Sequence, residues 1–284
     1  MDELFWSSLR LATPLVFAAL AGLLSERAGV VNLALEGFLL VGAFVGASTA
    51  FMTGSMLEAW VFASIAGVLL STVFAFLIVT LKGSPVIIAT AINLLVFGLI
   101  PLTSKYLFNS TGSTPVVPME LRLQNFPMIL MVGVTLAIYL YGRFTLRGLY
   151  WRTAGESAFS LEAAGISVNK TRFIHLMLAG LVASWGGVSL SLFLSSSYSP
   201  LMSGGRGFIA LAALILGRWK PWLVFASCLL FGFFEALQMR LQGLEQIQVP
   251  LQMVQILPYV LTILVLIAFK DQKSAPQELT KVTT

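Results

Sequence analysis

Asn32 and Glu36 stand four residues apart in an otherwise apolar stretch, so a helix turns both to one side. A carboxylate inside hydrocarbon costs about 2.5 to 3.5 kcal/mol even on the mildest insertion scale, and therefore faces protein or water-filled space. Two roles are open to Glu36. It can line a polar path, or it can serve the fold by pairing with Arg27 or capping the turn Val30-Val31-Asn32. Asn93, between apolar neighbours further along, needs partners for its amide, either on a neighbouring helix or on the hydrogen-bonding groups of a solute. Asn32, Glu36 and Asn93 are the expected pathway contacts. Glu235 and Gln238 share a face near Arg240, at the end of an apolar run where solvent can reach them. His175 has no carboxylate at positions 171, 172, 178 or 179, so it reads as a packing residue rather than a proton relay.

Several chemistries have no support. The chain carries no GxxxxGK[ST], HExxH or GxSxG pattern, so neither nucleotide chemistry nor a hydrolase centre is expected, and the chain is not read as an enzyme. A single cysteine, Cys228, and a single histidine support neither an intramolecular disulfide nor a metal cluster.

The elements that must position these residues are membrane spans. Of 284 residues, 58% are hydrophobic and 10% charged, with a mean hydropathy of +0.92, well outside the composition of soluble domains. About nine apolar elements can be drawn, over 8–24, 33–52, 57–80, 86–104, 127–142, 173–194, 208–217, 221–241 and 251–269. The element at 208–217 is too short to cross and reads as a half-helix or re-entrant piece. The expected fold is an all-α polytopic bundle of eight to nine elements, forming one transmembrane domain over residues 1–284. Met1-Asp2-Glu3 is acidic where a cleaved signal peptide is basic, so the first run is expected to stay as a span.

With the C-terminus inside, twelve of the 17 Lys and Arg residues fall on the cytoplasmic side, which sets the N-terminus outside. The same bias accounts for the net charge of +5 without nucleic acid. Residues 105–126, rich in turn-forming types, form an external loop, residues 143–172 a cytoplasmic connector and residues 270–284 a cytoplasmic tail. Within the connector, Glu156 to Ala164 lacks Gly and Pro and can form a short surface helix. Gly42 and Gly46 have the small-xxx-small spacing of closely packed helices. Glu36-Gly37-Phe38-Leu39 and Arg206-Gly207-Phe208-Ile209 match in pattern, a faint sign of the internal repeats common in transporters.

The segment Ser25-Glu26-Arg27-Ala28-Gly29-Val30-Val31-Asn32-Leu33-Ala34-Leu35-Glu36-Gly37 resembles the opening signature of nucleoside and simple-sugar ABC permeases, within the larger branched-chain amino acid and ribose permease family. The resemblance continues through Gly155-Glu156, Ala163-Ala164-Gly165-Ile166, Gly205 to Ala212, Gly217-Arg218-Trp219-Lys220-Pro221 and Leu257-Pro258-Tyr259-Val260, covering almost the whole chain. It implies a plasma-membrane permease subunit of an importer for nucleosides, with a simple sugar such as ribose, or branched-chain amino acids, as the nearest alternatives. It also implies that Gly155, Glu156, Glu162, Ala163, Ala164 and Gly165 form the coupling segment that docks on an ATPase. The chain resembles the shorter of two unlike permeases, which implies a longer permease partner, an ATPase with two nucleotide-binding domains, and an extracytoplasmic substrate-binding lipoprotein. ATP then binds to the partner, and this chain holds no cofactor. Two other classes stand beside this reading: an ion-coupled carrier using Asn32 and Glu36 as a cation site, and a purely structural membrane protein for which the connector is dispensable.

Overall fold

A computed structural model describes residues 2–110, 112–118, 124–242 and 275–280, and all regular structure among them is helical. The order is α1 (Asp2–Glu26), α2 (Leu35–Thr53), α3 (Met56–Ala75), α4 (Pro85–Phe108), α5 (Phe126–Phe144), α6 (Leu146–Glu156), α7 (Ala158–Ala163), α8 (Val168–Ser189), α9 (Arg206–Leu216) and α10 (Pro221–Gln242). α3 and α8 each end in a π turn, Phe76–Thr80 and Leu190–Leu194, and a 3-10 turn covers Gln277–Thr280.

Among the described residues, seven helices are long and apolar enough to cross a membrane: α1, α2, α3, α4, α5, α8 and α10. α9, with 11 residues, is the short element anticipated at 208–217. The expected element at 251–269 lies outside the described residues. Helices run past the apolar windows, α1 beginning at Asp2 and α8 at Val168. Hydropathy marks only the stretch within hydrocarbon, whereas backbone hydrogen bonding continues into the interface until a cap ends it. Ser167 supplies one such cap, accepting from the Lys170 N–H.

α1, α2 and α8 form the centre, their apolar windows 78, 72 and 78% buried, while α4 is only 28% buried. α3 and α4 are nonetheless more apolar than these three. Lipid demands apolar side chains on an exposed helix, whereas a helix packed on protein can use small residues for close approach. The α2–α8 crossing shows this. A Cβ on Gly187 would lie 2.1 Å from the Leu39 carbonyl oxygen, and one on Gly42 would lie 2.3 Å from that of Ser184. Gly187→Leu is therefore expected to cut monodisperse, membrane-extracted protein to roughly a tenth of wild type by wedging α8 off α2. Gly133→Leu, which meets nothing within 4 Å, is the matched control, and size-exclusion profiles of both variants check the claim.

Candidate functional site

Glu36 lies in the first turn of α2 and is buried to 4% exposure. Its Oε1 accepts from Ser203 Oγ at 2.5 Å and from the Gly205 N–H at 2.9 Å, and its Oε2 accepts from the Gly207 N–H at 2.8 Å. These donors lead into and open α9, where the first backbone N–H groups of a helix have no intrahelical acceptor. The carboxylate supplies that acceptor, and its charge complements the positive end of the helix dipole. Its partners thus come from 167 to 171 residues away. Arg27, near in sequence, lies instead beside Arg152 and Glu156.

The two matched tetrapeptides meet here. Glu36-Gly37 and Arg206-Gly207 each open a helix, and a Cβ on Gly207 would stand 2.5 Å from the Glu36 nitrogen. Arg206 turns to Glu235 on α10 and pairs with it. Glu235, expected at a solvated helix end, is thereby the counter-charge beside the cradle.

Asn93, on α4, clamps the same turn from the other side. Its Oδ1 accepts from the Gly37 N–H and its Nδ2 donates to the Leu33 carbonyl, both at 2.9 Å. Asn32 is fully buried, its Oδ1 accepting from the Ala34 N–H at 3.1 Å, while its Nδ2 meets no acceptor among the described residues. The structure therefore brings all three residues together around the segment 32–37, Asn93 reaching it from α4. Glu36 is engaged by the Ser203 hydroxyl and two backbone N–H groups and Asn93 by backbone groups, while among the described residues Asn32 retains one buried donor.

α9 separates this cradle from a second buried carboxylate. At the far end of that helix, Trp219 Nε1 donates to Glu26 Oε2 at 2.7 Å. Glu26 and Glu36 thus bracket α9, whose 11 residues rise about 16 Å, roughly half of a hydrocarbon core about 30 Å thick. The connectors between α1 and α2 and between α8 and α9 meet at Glu36, where Asn32 and Ser203 are buried, while Pro200 and Leu201 on the second connector are exposed.

The second group of expected residues forms an elbow at the same end as Glu26. The short helix expected over 156–164 is α7 at Ala158–Ala163, preceded by α6, which ends at Glu156 because Ser157 at φ −154° leaves the helical region and its Oγ accepts from the Ser160 N–H to start α7. Gly155 closes α6 against the Arg27 carbonyl, where a Cβ would stand at 2.3 Å. Glu156, Glu162, Ala163, Ala164 and Gly165 are exposed. Between them projects Phe159, 81% exposed, which sequence reasoning missed because a lone phenylalanine in an apolar chain carries no signal. Trp151 anchors the elbow, its Nε1 donating to the Leu24 carbonyl at 2.9 Å and its ring stacked on His175 at 5.5 Å. His175 Nδ1 donates to the Thr171 carbonyl at 2.7 Å, which leaves Nε2 to the Tyr141 hydroxyl at 3.1 Å. These contacts make His175 part of the packing.

Comparison with known proteins completes the picture. Residues 4–266 match the family model described as branched-chain amino acid transport system / permease component. The chain is 33% identical to the nucleoside ABC transporter permease protein NupC of Lactococcus lactis, over 94% of this chain and 92% of that one. It is 30% identical to the guanosine ABC transporter permease protein NupQ of Bacillus subtilis, over 94% and 91% respectively. TsgC13 of Haloferax volcanii, a protein named for glucose transport, is 31% identical over 84% of this chain and 78% of its own. No solved structure matches the chain. A multi-pass bundle with a short apolar helix, an exposed elbow and these similarities is a transporter subunit rather than an enzyme, working with an ATPase and a binding protein: the chain belongs to the branched-chain amino acid transport system / permease component family of ABC importers.

Proposed function

We propose that this chain is the shorter of two unlike permease subunits of a nucleoside importer in the plasma membrane, with its N-terminus outside and its tail in the cytoplasm. The observation that carries the reading is the elbow. Phe159, Glu162, Ala163 and Ala164 project from a two-helix corner held to α1 by Trp151, the form of a rigid lever for an ATPase with two nucleotide-binding domains. Similarity to NupC and NupQ favours nucleosides over sugars, whereas TsgC13 favours a sugar. The grouping of Arg27, Lys82, Arg152 and Arg172 around the elbow and its adjoining cavity supports the orientation, since basic residues stay on the cytoplasmic side.

Asn32, Glu36 and Asn93 form the wall of the path in this reading. Asn32 offers the donor, while Glu36 holds the start of α9 and Asn93 the start of α2 in place around it. At the opposite end, the Thr114 and Val117 N–H groups donate to the Tyr198 and Ser196 carbonyls, tying the long loop over the connector before α9. That surface receives the substrate-binding lipoprotein. ATP binding draws the elbows together and opens the bundle outward, and hydrolysis resets it.

The test is reconstitution in vesicles with a second permease, the ATPase and the binding protein. Labelled guanosine is expected to accumulate only with all four components and ATP, and excess uridine or adenosine should compete where ribose and leucine do not. Accumulation by this chain alone under an ion gradient, or competition by ribose or glucose only, overturns the reading.

A further inference from the structure

Glu278 sits in the 3-10 turn Gln277–Thr280, more than a hundred residues beyond the elbow. Pro276 just before it is buried, and Leu279 packs on the main apolar core, so the turn is seated on the bundle. Its carboxylate spans two elements. Oε1 accepts from the Ala158 N–H at 3.3 Å, the first residue of α7, and Oε2 accepts from Arg172 Nη2 at 3.3 Å, near the start of α8. Arg172 Nε in turn donates to the Ala28 carbonyl at 3.1 Å. Next to Ala28, Gly29 has φ 88°, and a Cβ there would lie 3.0 Å from Glu278 Cβ. The Arg172 and Glu278 side chains are only 19% and 10% exposed, so this pair is shielded from the screening that weakens surface ion pairs.

One carboxylate thus joins the tail, the elbow, α8 and the connector that climbs to the Glu36 cradle. A cavity of about 590 Å³ opens beside it, lined in part by Val30, Lys82, Asn169 and Arg172. The end of α6 reaches the connector 27–34 directly, Gly155 packing on Arg27, and α7 beyond Ser157 is joined to it through Glu278 and Arg172.

We propose that Glu278 is a positioning residue for energy coupling: the tail is a strap that fixes α7 to Arg172 and the Ala28-Gly29 turn. Displacement of the elbow then reaches residues 32–37 instead of being absorbed by slack at Ser157. The proposal rests on the reading of residues 155–166 as the coupling segment.

The experiment uses the complete complex in vesicles and reads guanosine transported per ATP hydrolysed, together with the amount of ATPase retained on the purified permease. Glu278→Ala is expected to lower transport per ATP about tenfold while retaining the ATPase, as for loss of a charge-assisted bond. Glu278→Asp keeps the charge and should restore part of the ratio, whereas Glu278→Gln keeps an acceptor for Ala158 and should fall between. An unchanged ratio in Glu278→Ala overturns the strap, including the case where uptake falls only in step with the amount of inserted protein. Phe159→Ala in the same assay separates the two ideas. If it sheds the ATPase while Glu278→Ala keeps the wild-type ratio, the strap alone fails; if it retains both ATPase and uptake, the coupling segment and the strap fail together.

Discussion

Glu36→Gln should be nearly as damaging as Glu36→Ala, with uptake lost and the melting temperature of the purified protein lowered by about 5–10 °C. Both carboxylate oxygens of Glu36 accept hydrogen bonds, from Ser203 and Gly205 on one and from Gly207 on the other. An amide of the same shape offers one acceptor and must aim its NH2 at an N–H or O–H donor. Alanine leaves all three donors facing a void, at about 1–3 kcal/mol for each buried group left unsatisfied. Glu36→Asp keeps both acceptors one methylene short and should lose less of each. The measurement separates two roles, because a carboxylate that served only to touch solute would lose uptake with no change in melting temperature. Such a result would remove Glu36 from the frame of the cradle.

Ala164→Asp should abolish transport while the chain inserts normally, and Phe159→Ala should weaken retention of the ATPase by about thirtyfold, as expected of an aromatic anchor. The two residues are exposed, Phe159 to 81%, so neither change removes a contact within the fold. A charge on the narrow alanine face meets a groove that must close over it, and desolvating an unpaired carboxylate there opposes docking. Co-purification with the ATPase and uptake by vesicles measure the two effects. Undiminished uptake with Ala164→Asp would show that the elbow is not the lever.

How much of this was legible in sequence varies by residue. The short α9 was visible because its apolar run is too brief to cross, and the pattern shared by Glu36-Gly37 and Arg206-Gly207 hinted at the contact those residues make. The break at Ser157 was also available in principle, since serine three residues before an amide donor is a helix-starting arrangement. Glu278 gave no such hint. Its partners lie 106 and 120 residues away, and one of them is a backbone N–H that any residue type would supply.

By itself, the sequence determined that this is a membrane bundle, where the seven described spans run, that the connector 143–172 carries helix-forming sequence, and which family signature opens the chain. Each of these depends on short-range properties: the transfer of a segment into hydrocarbon, or the order of neighbouring residues. Tertiary structure alone decided that α1, α2 and α8 stand at the centre while the more apolar α3 and α4 lie outside them. It also decided that Glu36 holds the start of α9, and that Glu278 joins the elbow to α8. To an apolar side chain, lipid and protein interior are nearly the same solvent, so hydropathy cannot rank helices by position. A buried polar group must find its partner wherever the fold brings one, and that place is not written in its neighbours.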